Sequence, residues 1–323
     1  MSQHPAKTAK RFNFNFLREY LPIAVLLLLV IISSFLSPNF LTAQNIFNLL
    51  RQNAGLIIVS MGMLMVILTG GIDLSVGSIA ALSSVVFTTL LDTRTSAGMP
   101  LLPALLLTLL CSTAFGAIVG YLVAYRKMAP FVVTLASMTA ARGVAYMISH
   151  AKTIPITNEF VNTFNKGRFL SVPYSVLLAA FVVIVVMFVL RYTSYGRYVQ
   201  AIGSNENCIH LSGVRTNLYI MSVYMVSAVL CTFGGIIESR TGVGDARICE
   251  GMELDAIAAC VIGGASLSGG KGTAINTLMG VLILGLISNI MALLKVASYP
   301  QQVIKGIIII GAVLLQGRNK KSA

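Results

Sequence analysis

Apolar residues along this chain run in long blocks instead of alternating with polar ones, and the blocks are punctuated by short Gly, Pro or charged connectors. They fall at about 20–37, 54–69, 78–91, 101–125, 130–149, 175–190, 218–238, 253–265, 274–294 and 302–316. A helix needs about 20 such residues to cross the hydrocarbon of a bilayer, so the pattern predicts ten candidate spans, three of them short. Only helices or closed barrels satisfy every backbone polar group in lipid, and runs of this length are helical. The expected fold is an all-α polytopic membrane protein with about ten transmembrane helices, some of them discontinuous. Residues 1–19 form an N-terminal tail, 20–316 the membrane domain and 317–323 a C-terminal tail.

Composition supports the same class. Of 323 residues, 56% are apolar and 10% charged, too few charges to clothe a soluble body of this size and too apolar for a disordered chain. The net charge of +13 would suggest nucleic acid in a soluble protein, but no basic cluster is interleaved with aromatics, and no nucleic-acid partner is expected. The basic residues sit mostly in connectors, where they set topology and meet anionic lipid headgroups. Placing both termini in the cytoplasm puts 13 basic residues on that side against 8 on the other, with Arg142 and Lys305 left in the membrane. The first apolar run ends in Ser37, Pro38 and Asn39 instead of a small-residue cleavage site, so it is expected to be a retained span. The five cysteines show no metal-ligand spacing, and most are expected as small packed hydrophobes.

Two stretches interrupt the apolar pattern alike, Gly70 to Gly77 and Gly263 to Gly270, matching at five of eight positions. Paired Gly-rich breaks point to irregular backbone beside a transport pathway, with two ordinary Gly-Ser turns as the alternative. Six spans separate them, the spacing of a parallel repeat. The longest polar connector, 191–217, contains a candidate short helix with Asn205 as N-cap and Gly213 as stop, the alternative being a solvated loop. A helix so short is marginal alone, and a partner protein would supply its packing.

No catalytic or metal signature is present. Ser268 to Thr273 resembles a phosphate-binding loop only superficially, because Gly272 follows Lys271 where a hydroxyl residue is required. What remains are ionisable residues in or beside apolar runs: Asp73, Arg142, Glu238, Glu253, Asp255, Lys271 and Lys305. A charge at mid-bilayer costs about 2.5 kcal/mol or more, so each must face a cavity, a partner charge or an interface. Glu238, Glu253 and Lys271 lie near span ends, where reaching water is the simpler reading. Arg142 lies deep in its run and is expected to pair with a carboxylate or with backbone carbonyls. Few carboxylates lie well inside the membrane, which argues against an ion-coupled transporter and for a pore subunit energised from elsewhere. A stand-alone facilitator is the alternative.

In order and spacing these residues resemble the permeases of ATP-binding-cassette sugar importers, of the ribose permease group. The resemblance rests on Ser37 to Phe40, Ile67 to Ser78, Thr134 and Leu135 with Arg142 and Gly143, and Gly196 to Tyr198 leading to Asn205, Glu206 and Leu211 to Gly213. It continues through Glu253 to Ala259, Gly263 to Gly272 and Gln302 to Gly306. It implies import of a ribose-like monosaccharide across the bacterial cytoplasmic membrane by a chain that does no covalent chemistry and binds no cofactor. Mg-ATP would be held by a separate cytoplasmic ATPase, and sugar delivered by a periplasmic or lipid-tethered binding protein. A second permease copy, identical or related, would complete the path. The coupling segment would comprise Asn205, Glu206, His210, Leu211, Ser212 and Gly213. Path candidates are Gly70, Gly71, Asp73, Ser75, Arg142, Glu253, Asp255, Gly263, Gly264 and Ser268. Two departures bear on partners: Cys249 to Met252 replaces the family's usual Gly-x-Gly-Tyr, and Cys208 to His210 replaces small alanines.

Overall fold

A computed structural model describes residues 14–94, 98–156, 158–239 and 242–318. Each of the ten apolar runs is helical: α1 (Phe14–Leu36), α2 (Ala43–Leu68), α3 (Val76–Leu91), α4 (Leu101–Ala124), α5 (Pro130–Ser149), α7 (Tyr174–Tyr192), α10 (Thr216–Glu238), α11 (Met252–Ile262), α12 (Ala274–Leu293) and α13 (Ser298–Arg318). Three helices lie outside those runs: α6 (Glu159–Lys166), α8 (Ser194–Ser204) and α9 (Glu206–Leu211). Among the described residues, six helices are long and apolar enough to cross a membrane unaided, namely α2, α4, α5, α7, α10 and α12.

Helix α2 is the axis of the bundle. Residues 54–68 are buried without interruption, so a helix apolar on every side is surrounded on every side. Around it stand α7, α10, α11 and α12. The outer faces of α4, α5, α7 and α13 expose large apolar side chains such as Leu110, Phe131, Phe181 and Ile307, the inverse of a water-soluble protein.

Lipid is as apolar as leucine, so burial alone does not hold such helices together; close approach and interhelical hydrogen bonds do. At the crossing of α3 and α10, a Cβ on Gly235 would stand 2.0 Å from the Ala80 carbonyl oxygen, so only glycine allows this approach. Beside it the Thr232 hydroxyl meets Ser112 at 2.5 Å and Ser83 at 3.3 Å, tying α10 to α4 and α3. Ser84 and Ser239 add a contact of 2.6 Å. Each such bond in a bilayer contributes about 0.6 kcal/mol on average.

Helices α3 and α11, of 16 and 11 residues, are shorter than the roughly 20 residues a full span needs. The carboxylate of Asp73, just before α3, accepts from Ser227 at the midpoint of α10, so α3 starts near mid-depth and runs to one surface. Helix α11 runs the other way, alongside α2, where the Cys260 thiol meets the Ser60 carbonyl at 3.6 Å. Both breaks therefore follow helices that run in the same sense, as the six-span spacing implies.

The surface at the outer end of α3 carries a layer absent from the apolar pattern. There β1 (Ile154–Pro155) pairs antiparallel with β4 (Val243–Gly244), and β2 (Arg168–Phe169) pairs with β3 (Val172–Pro173). Between the latter strands Leu170 and Ser171 both take positive φ, the geometry of a two-residue hairpin turn built here without glycine. Asn158 caps α6 by accepting the Val161 N–H at 3.2 Å.

Replacing Gly235 by alanine is expected to cost about 1–3 kcal/mol, because backbone must move to admit the methyl. The same change at Gly143, which has nothing within 4 Å, is expected to be neutral. Thermal unfolding of the two purified variants in one detergent checks the contrast; equal midpoints would contradict this packing.

Candidate translocation and coupling site

The coupling segment forms from its own sequence. Asn205 turns the chain out of α8 in extended conformation, and its side chain accepts the Cys208 N–H at 3.0 Å. Glu206 in the first turn and His210 in the last match the helix dipole. Gly213, at φ +83°, ends the segment in a conformation other residues rarely adopt. His210, Leu211 and Ser212 are exposed, and Leu211 is 86% exposed at the tip of a helix with no buried residue. Glu206 anchors its base: Lys127, in the α4–α5 turn, reaches the Glu206 carboxylate at 2.7 Å and the Asn217 amide oxygen at 3.1 Å.

Helix α8 leaves no mark in the hydropathy pattern, yet it joins this projection to the membrane domain. Thr193 caps it by accepting the Gly196 N–H at 3.2 Å. Tyr195 shares a hydrogen bond of 2.7 Å with Ser222 on α10, and Tyr195 and Tyr198 pack on Tyr219. At its far end, a Cβ on Gly203 would lie 1.8 Å from the Leu68 carbonyl oxygen and 2.6 Å from the Gly270 nitrogen. The Gly270 N–H itself donates to Leu68 at 2.9 Å. The last turn of α8 is thus wedged against both Gly-rich breaks at once.

The path candidates consequently divide into two layers. Gly70, Gly263, Gly264 and Ser268 belong to the two turns at the α8 end, with Gly70 and Gly264 at φ +81° and +84°. Deeper lie Asp73, Ser75, Arg142, Glu253 and Asp255. Gly71 lies between, against the Tyr224 hydroxyl. The breaks are connections between successive helices, and only the first climbs back to mid-depth.

Asp73 is enclosed instead of lining an open channel. Its carboxylate accepts from the Ser75 N–H at 3.0 Å, the Ser75 hydroxyl at 2.5 Å and the Ser227 hydroxyl at 3.2 Å. The first of these is an Asx-turn that redirects the backbone into α3. Ser227 has no sequence signal marking it; a serine on a mid-span face is found only once the helices are docked.

At the same depth the chain from Asp245 to Gly251 dips inward before α11. Arg142 holds the dip by donating to the carbonyls of Ala246 and Ile248, the latter at 2.8 Å, so its partners are backbone carbonyls. Glu253, in the first turn of α11, points at the start of α3, where a Cβ on Gly77 would stand 2.3 Å from its Oε2. The N-terminal ends of the two half-helices thus converge on one carboxylate. Oε2 has no hydrogen-bond partner among the described residues, and Arg142 lies within electrostatic reach. Glu253 is therefore an interior group, not a span-end residue reaching water. Two residues on, and so on another side of α11, Asp255 forms an ion pair of 3.2 Å with Lys305 of α13. Around this layer Thr139, Gly143 and Met147 of α5, with Glu250 and Leu254, are exposed. Among the described residues no cluster of His, Cys, Asp or Glu is arranged to hold a metal.

Comparison with known proteins agrees with this architecture. The family described as branched-chain amino acid transport system / permease component matches residues 45–313. A ribose import permease protein of Escherichia coli K12 is 38% identical over 328 residues, covering 99% of this chain and 100% of the relative. One from Bacillus subtilis 168 is 41% identical over 318 residues, 97% of each chain. A D-allose transport system permease protein of Escherichia coli K12 is 35% identical over 315 residues, covering 96% and 95%. No solved structure matches. A predominantly helical chain matched by this family from α2 to α13, and by those relatives over nearly its whole length, belongs to the branched-chain transport permease family.

Proposed function

We propose that this chain is the membrane-spanning subunit of an ATP-driven importer for a monosaccharide, ribose or a related sugar. The observation that carries the reading is the charged layer at the face where Glu250 is exposed and Arg142, Glu253, Asp255 and Lys305 are partly exposed. Lipid does not solvate Arg142, Glu250, Glu253 and the Asp255–Lys305 pair, so that face meets water and a second protein surface. A second permease copy set against it would enclose a polar path. Carboxylate and guanidinium groups there suit a neutral polyhydroxyl solute, whose hydroxyls donate and accept at once.

The energy enters elsewhere. Leu211 and His210 on α9 would seat in a cleft of a cytoplasmic ATPase, which holds Mg-ATP; this chain contributes no cofactor site. Because α8 and α9 are each capped and α8 is wedged at Gly203, a displacement of α9 reaches both breaks, and through them α3 and α11. Rocking of those half-helices would alternately open the Glu253 layer to either side. In this orientation α9 and both termini are cytoplasmic, and the strand layer faces a sugar-binding protein in the periplasm. The substrate class is supported by the ribose and allose names of the relatives.

Uptake of labelled ribose into proteoliposomes is expected only when the chain, its ATPase, the binding protein and ATP are all present. Uptake by the chain alone down a gradient would make it a facilitator and sink the reading.

Leu211→Asp is expected to weaken co-purification of the ATPase roughly 30-fold, as for loss of a central interface anchor, without altering membrane insertion. Unchanged co-purification and uptake would remove α9 from the coupling role. Arg142→Met leaves two deep carbonyls unpaired, at about 1–3 kcal/mol each. It should lower uptake roughly tenfold or more while the ATPase still binds. Normal uptake by that variant would place Arg142 outside the path.

A further inference from the structure

Besides α8, the α9 projection meets the membrane domain at a second place, the α4–α5 turn. No residue of α9 is buried, and apart from a partial contact of Ile209 with the core its hold there is polar. Lys127 supplies that hold. Its Nζ donates to Glu206, in the first turn of α9, at 2.7 Å and to Asn217, in the first turn of α10, at 3.1 Å. The Thr216 hydroxyl stands 3.5 Å from the same Glu206 oxygen. One ammonium thus joins the turn, the base of α9 and the start of α10.

The backbone that presents this lysine is strained. Lys127 stands at φ +51°, in the left-handed region that residues with a side chain rarely adopt. The turn is fixed on either side of it: the Met128 N–H donates to the Leu122 carbonyl at 3.2 Å, and Pro130 opens α5 with its ring-locked φ. Glycine would be relaxed at position 127 but has no ammonium to offer. The Lys127 and Glu206 side chains are 58% and 39% exposed, and an ion pair so open to water and salt adds little to stability. A strained turn that ends in so small a stabilisation is suited to setting position.

What the turn leads to gives the position its meaning. Helix α5 begins three residues after Lys127 and runs unbroken to Ser149. Arg142, which holds the inward dip through the carbonyls of Ala246 and Ile248, lies twelve residues into that helix, about 18 Å along its axis.

We propose that Lys127 is a positioning residue that clasps α9 to the α4–α5 turn, so that a displacement of α9 passes along α5 to Arg142. The inference rests on the transport reading. It adds to the α8 wedge, which leads to α3 and α11, a separate route to the side chain that holds the dip.

The test uses the chain with its ATPase and binding protein in proteoliposomes. It reads sugar imported per ATP hydrolysed for wild type, Lys127→Glu, Glu206→Lys and the double exchange. Each single reversal sets like charges against each other and is expected to lower the ratio about threefold or more. Lys127→Glu should still co-purify the ATPase and unfold at the wild-type temperature. The double exchange restores the pair with opposite polarity, Asn217 turning its amide to donate, and should bring the ratio back close to wild type. A wild-type ratio in Lys127→Glu would overturn the proposal. So would a double exchange no better than the worse single variant, which would mean that the two residues act separately. Loss of the ATPase from Lys127→Glu would also overturn it, making Lys127 part of the docking surface. Each of these results leaves the transport reading intact, whereas import by the wild-type chain without its ATPase would remove that reading and this proposal with it.

Discussion

At Gly203 the backbone of α8 stands so close to the end of α2 that a single methyl group would overlap the Leu68 carbonyl. The same carbonyl accepts the Gly270 N–H. Three segments far apart in sequence therefore share one contact with no side chain between them. Flexible side chains can absorb a displacement by changing rotamer; backbone packed on backbone cannot, because interiors are dense and respond by discrete shifts. Whatever moves α9 must then either break this contact or carry both Gly-rich turns along.

Those turns lead to the two helices that start near mid-depth. A half-helix is held at one end by its neighbours and at the other by what its first turn meets. For α3 that is the Asx-turn of Asp73 and the Ser227 hydroxyl on α10. For α11 it is the dip held by Arg142 and the approach of Glu253 to Gly77. A bilayer makes each of these polar contacts obligatory, since an unpaired group there costs several kcal/mol. The polar groups at the exposed face and the enclosed Asp73 are thus two parts of one device: the first is offered to solute, the second holds the backbone that presents it.

Much of this is written in the sequence as hydropathy. The ten apolar blocks are ten helices because only a helix satisfies its backbone within one segment of this length in lipid. Asn205 and Gly213 mark the short surface helix because an Asx cap and a positive-φ stop are local chemistry. Arg142 announces an interior partner because its charge is untenable in lipid, although which carbonyls it meets depends on a loop a hundred residues away. Helix α8 escapes notice because its residues are amphipathic and its stability comes from Thr193, Ser222 and the glycine contact. The outer layer of α6 and four two-residue strands is equally silent, since pairs such as Ile154 with Gly244 carry no periodicity. The path candidates come from both glycine breaks and from charged residues alike, yet docking puts Gly269 and Gly270 against α8, sets Gly263 against α12, and leaves Glu253 near Arg142 at depth. Sequence spacing cannot separate the two layers, because the depth at which α3 and α11 start is set by what they pack against.

The account stands or falls on whether the contact at Gly203 transmits motion. The direct measurement is the amount of sugar imported per ATP hydrolysed by the reconstituted transporter carrying Gly203→Ala, with ATPase binding measured alongside. If α8 drives both turns, the variant still binds the ATPase and hydrolyses ATP while sugar import per ATP collapses. A wild-type ratio in a variant that binds and hydrolyses normally would contradict the account and leave α8 as a passive tether.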